Sequence, residues 1–191
     1  MPHTAQGDSM PPGYVRTIEE EIFYEYAKLI SRSAFKGVLN YGFITNRYKA
    51  LKAGDANMSG QVREWEKEQQ LPKACVFCGS VESLQTDHLI PSSRGGTDDA
   101  DNLVLSCGPC NASRNNRGVF EWLGLKKKDN LHRLVAGKYL KELHRLHQVK
   151  GTLAVEKGAL DNLCGGCRNR KSCETWNKVG ELTCLCLESV F

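Results

Sequence analysis

The chain has 191 residues, 40% of them hydrophobic and 25% charged, with a net charge of +4. That balance is ordinary for a globular chain and excludes a collagen-like or wholly disordered polymer. No window approaches the roughly 18 consecutive apolar residues of a transmembrane helix, so no membrane partner is expected.

The first 13 residues are polar, carry three prolines and lack a basic-then-apolar start. They read as a disordered tail and not as a signal peptide. Without an export signal the expected compartment is the reducing cytoplasm. Residues 14–71 read as a helical segment. Thr17 and Glu20 fit a capping box. Behind them Ile18, Ile22, Tyr26, Leu29 and Ile30 recur at helical spacing, which predicts a helix over about 17–33. A second short helix or turn covers Ile44 to Leu51. Gly54 to Gly60 is a loop, and Ser59 caps a helix that reaches Gln70 and ends at Pro72.

The pattern changes over residues 72–125. Cys75-Val76-Phe77-Cys78-Gly79 reads as a tight turn that presents two thiolates. Ser83 to Ile90 reads as a strand, Pro91 to Asp101 as a polar loop, Leu103 to Leu105 as a second strand, and Pro109 to Gly118 as the start of a helix. Residues 126–151 form a basic amphipathic segment. Within it Leu131, Val135, Tyr139, Leu143 and Leu146 make one stripe of a helix from Asn130 to Val149, with Lys138, Lys141, His144 and Arg145 off it. The positive charge concentrates here: residues 119–151 hold eight Lys/Arg against three Asp/Glu. Such a stretch is either a nucleic-acid footprint or a solvated helix face.

Nine cysteines fall into two groups. Cys75, Cys78, Cys107 and Cys110 form two C-x2-C pairs around a 28-residue insert. In a reducing compartment that pattern suits a tetrahedral, all-thiolate structural zinc site. Between and after the pairs stand Asp87-His88, Asn102 and Asn111. A carboxylate and an amide oxygen are hard ligands suited to Mg2+ or Mn2+. An imidazole beside them titrates near neutrality and could act as a base. In a regular strand Asp87 and His88 point to opposite faces, so the strand end must turn one of them.

Together these residues resemble the HNH endonuclease family, the ββα-metal nucleases. The match is carried by Asp87-His88-x-x-Pro91, Asn102 fourteen residues after His88, and Asn111 nine residues further on. Asn111 takes a position that is often His in the family, and Arg114 takes a usual Lys. The resemblance implies an α+β fold: a ββα-metal core with structural zinc, set in mainly helical N- and C-terminal segments. It implies phosphodiester hydrolysis with His88 as general base. One divalent ion would be held by Asp87 and Asn111, with Asn102 bracing the loop that orients His88. DNA is the expected partner, with RNA open as a substrate. A monomer would nick and a homodimer could cut both strands. Arg94, Arg114, Arg117, Lys126, Lys127 and Lys128 are the expected phosphate contacts. Asp98, Asp99 and Asp101 read as surface or turn residues. The rival reading is a non-catalytic zinc module that binds nucleic acid.

Residues 152–191 form a Cys-rich segment. Cys164, Cys167, Cys173 and Cys186 are expected to hold a second zinc or an iron–sulfur cluster, or to bind no metal. The C-x2-C-x5-C core resembles iron–sulfur segments of some nucleases. Cys184 and Cys186 share one face if this end is a strand, so either could be the fourth ligand.

Overall fold

Helix α1 (Ile18–Ala34) begins at Thr17, whose hydroxyl accepts from the Glu20 amide. Three glutamates in its first turn suit the helix dipole. The Glu20 carboxylate reaches back to the Arg16 amide at 2.7 Å, one residue beyond the reciprocal bond of a capping box. Helix α2 (Tyr41–Ala53) starts earlier than its apolar pattern announces, because the Asn40 side chain caps it. It ends at Gly54, whose positive φ is the usual helix stop.

The computed structural model describes residues 11–58, 66–125, 127–171, 173 and 181–190. Most of the expected N-terminal tail, the expected cap Ser59, and Lys126 lie outside the described residues. Residues 66–69 are helical, in keeping with the end of the helix expected there.

Strands β1 (Leu84–His88) and β2 (Leu103–Cys107) pair antiparallel, with Leu84 opposite Cys107 and His88 opposite Leu103. Helix α3 (Gly108–Arg114) leaves directly from β2. Helix α4 (Val119–Leu123) follows, and then α5 (Arg133–Val149). The C-terminal region adds α6 (Asp161–Cys164) and α7 (Cys184–Leu187). The fold is thus α+β, with a two-stranded sheet among helices.

Helix α1 is central: it packs on α2, α5 and α7. One apolar core joins Ile18 and Ile22 of α1, Tyr139 and Leu143 of α5, Leu89 and Ile90 after β1, and Leu185 and Leu187 of α7. The C-terminal residues from Leu182 to Val190 therefore share the main core.

Lys138, expected off the buried stripe of α5, is buried. Its ammonium bonds Glu68 at 2.6 Å and the Leu103 carbonyl at 2.8 Å. Lys28 and Lys128 are also buried and hold the Glu25 carboxylate between them. A buried ammonium needs such partners because desolvation is costly.

His147 ties α5 to α7. Its Nε2 donates to the Leu187 carbonyl at 2.9 Å, leaving Nδ1 against the Thr152 hydroxyl at 2.8 Å. Burial lowers its pKa from 6.5 to about 4. The unfolded chain then binds the proton first, so stability is complete above pH 6.5 and falls as pH drops towards 4. The loss amounts to about 3 kcal/mol across that window. Glu188, pushed up to about 7 by burial, slopes the other way. Thermal melts of wild type and His147→Gln from pH 4 to pH 7 isolate the histidine: the difference in melting temperature should change with pH as stated.

Candidate active site

The site is assembled at the junction of β1, β2 and α3. Cys75 and Cys78 sit in a tight turn closed by the Gly79 amide on the Cys75 carbonyl. The Val76 amide bonds the Leu105 carbonyl and so fastens the turn to β2. Cys107 ends β2 and Cys110 lies in the first turn of α3. All four sulfurs lie within 4.8 Å of one another, with Cys78 and Cys107 3.6 Å apart. That closeness fits a single tetrahedral zinc ion with bonds of about 2.3 Å.

Among the described residues one other group of three donors is this close: Glu21, Glu25 and Cys184. Lys28 and Lys128 already pair with Glu25 there, so it reads as a buried ion network.

Asp87, His88 and Asn111 line one open cleft of about 570 Å3, together with Ser92, Asn115 and Asn116. Asp87 is buried and lies opposite Val104. Its Oδ1 accepts from the Arg114 guanidinium at 2.7 Å, while its Oδ2 has no partner among the described residues. A buried carboxylate oxygen without a donor is costly unless something outside the chain meets it. The donor set of Asp87 Oδ2 and a half-buried Asn111 therefore fits a hard divalent cation.

His88 is half-buried, and its Nε2 lies 2.6 Å from the Asp98 carboxylate. The pair fixes the tautomer: with Nε2–H on Asp98, Nδ1 keeps the lone pair that can accept a proton. Asn102 is fully buried and touches no solvent. Its side chain accepts from the Ile90 amide and donates to the Ile90 and Thr97 carbonyls. It is a brace for the loop that follows His88. The loop crosses so closely that a Cβ on Gly96 would overlap the Ile90 carbonyl oxygen.

Two expected phosphate contacts are corrected. Arg114 is 1% exposed and spends its guanidinium on Asp87 and on the carbonyls of His88, Leu89 and Arg117. Lys128 is 4% exposed and pairs with Glu25 and Asp129. Neither can reach a nucleic acid in this fold. Arg117 and Lys127 are exposed and Arg94 is half-buried, while Lys126 lies outside the described residues.

Asp101 is also not a surface residue: it is buried beside Lys141. Asp98, which resembles a plain turn residue in the sequence, is the group on His88. Its only sequence signal is the glycine pair at Gly95 and Gly96 that turns the chain back.

Arg114→Ala should destabilise the protein by about 3–5 kcal/mol, because it leaves the Asp87 carboxylate buried without its partner. Lys127→Ala should leave stability near wild type. Denaturant unfolding of the two variants checks the contrast.

Residues 75–117 match the family model described as HNH endonuclease. No curated protein and no solved structure matches the chain.

Proposed function

We propose that the protein is a metal-dependent HNH endonuclease that hydrolyses phosphodiester bonds in DNA. The observation that carries this reading is the shared cleft: Asp87, His88 and Asn111 line the same space, and Asp87 Oδ2 has no partner among the described residues. A Mg2+ or Mn2+ ion held by Asp87 and Asn111 would neutralise charge on the phosphate and on the leaving 3′ oxygen.

The chain's own groups supply the rest. His88 takes a proton from the attacking water at Nδ1, the nitrogen that Asp98 does not occupy. Asp98 then faces the imidazolium that forms. Asn102 fixes the loop after His88, as a positioning residue without contact to substrate. Arg114 occupies one Asp87 oxygen and leaves the other without a donor among the described residues. The all-thiolate zinc site pins α3 to the cysteine turn and β2, which keeps Asn111 near Asp87. Arg94, Arg117 and Lys127 are the cations proposed to meet the phosphate backbone.

The test is incubation of zinc-loaded protein with supercoiled plasmid, single-stranded DNA and RNA. Each is run in chelator-treated buffer with or without added Mg2+ or Mn2+. Relaxed or linear plasmid only in the presence of added metal supports the reading. Cleavage of RNA alone would move the substrate class. Intact substrates in every arm would leave a non-catalytic zinc module as the better account.

A further inference from the structure

Five cysteines lie outside the nuclease site, and the structure sorts them by direction. Cys164 ends α6, Cys167 and Cys173 follow it along the chain, and Cys186 comes from α7. All four line one small cavity closed by Leu160, Leu163 and Leu185. Cys184 does not line it: its sulfur lies 3.8 Å from the Glu21 carboxylate, within the buried ion network.

The physical reason is that this end is a helix and not a strand. Two residues along a helix turn the side chain by about 200°, so neighbours that would share a strand face take opposite sides. The sequence left Cys184 and Cys186 equivalent, and the helix separates them.

We propose that Cys164, Cys167, Cys173 and Cys186 ligate a second thiolate-bound metal centre, with Cys184 outside it. The four come from separate turns and a distant helix, yet converge on one apolar space. Cys173 and Cys186 are each 8% exposed. Among the described residues, neither carboxylate nor imidazole lines that space. An all-sulfur donor set selects a soft metal, as zinc or as an iron–sulfur cluster. Among the described residues, no three of these sulfurs form a group within 4.8 Å like that of the first site. A single ion would therefore draw the side chains inward, whereas a cluster gives each thiolate its own iron.

The centre would also fasten the nuclease unit to the C-terminal segment. Glu188, two residues after Cys186, accepts from the amides of Phe120 and Glu121 at the start of α4, and from the Tyr139 hydroxyl. Asn169, between Cys167 and Cys173, donates to the same carboxylate. This proposal stands apart from the nuclease reading, since it rests on residues that line neither the zinc site nor the cleft.

The test is metal and acid-labile sulfide analysis of the full chain purified without oxygen. Wild type is compared with Cys186→Ser, Cys184→Ser and Cys107→Ser. Wild type should hold metal beyond the complement of the first zinc site, either as further zinc or as iron with sulfide. Cys186→Ser should lose that second metal alone, and Cys184→Ser should keep it. Cys107→Ser should lose only the zinc of the first site. If Cys186→Ser is insoluble, the wild-type content decides. Metal sufficient for the first site alone overturns the proposal, as does a Cys186→Ser protein with undiminished metal.

Discussion

Cys107→Ser should lose the zinc of its site and with it the local order of the cysteine turn, the end of β2 and α3. Cys107 is the last residue of β2 and the N-cap of α3, so one sulfur serves the junction of strand and helix. Structural zinc contributes about 10–16 kcal/mol of apparent binding free energy in small zinc domains. A whole domain has a net stability of only about 5–15 kcal/mol. Removing one of four thiolates therefore removes more than local packing can replace. Zinc content and a thermal melt read the result together. Unchanged zinc with an unchanged melting temperature would contradict the all-thiolate site.

His88→Ala should cut the rate of cleavage by about 10²–10⁴-fold, the usual contribution of a positioned general base. Zinc content, melting temperature and DNA affinity should stay near wild type, because the imidazole is half-buried and, among the described residues, bonds only the exposed carboxylate of Asp98. Asp98→Asn should lose less, since an amide can still accept from Nε2–H but no longer balances the imidazolium charge. Single-turnover nicking rates rank the three proteins. A His88→Ala protein that cleaves like wild type would remove the base from its proposed role.

Much of the fold is legible in the sequence where the signal is local. The cap at Thr17, the stripe of α5 and the order strand, loop, strand, helix depend on neighbours a few residues apart. The paired C-x2-C spacing likewise announces four sulfurs that do gather. What the sequence hides are partners far along the chain. Lys128 looks like part of a basic run, yet its partner Glu25 lies 103 residues away. Lys138 finds Glu68 70 residues away. Arg114 carries the charge expected of a phosphate contact, but the sheet brings Asp87 to it first.

Counting charges cannot separate a solvated cation from one buried in an ion pair. The run Cys184-Leu185-Cys186-Leu187 shows a second limit, because a short apolar stretch fits helix and strand equally. Only packing against α1 and the core decides for the helix.

Asp87, His88 and Asn111 are proposed to act on one scissile phosphate. The most direct measurement is the nicking rate of supercoiled plasmid as a function of Mn2+ for wild type, Asn111→Ala and His88→Ala. Asn111→Ala should need more Mn2+ and recover part of its rate at saturation, because it loses a metal ligand and keeps its base. His88→Ala should stay slow at every Mn2+ concentration. Equal Mn2+ dependence in all three proteins, with wild-type rates in His88→Ala, would contradict the account and place the cleavage elsewhere.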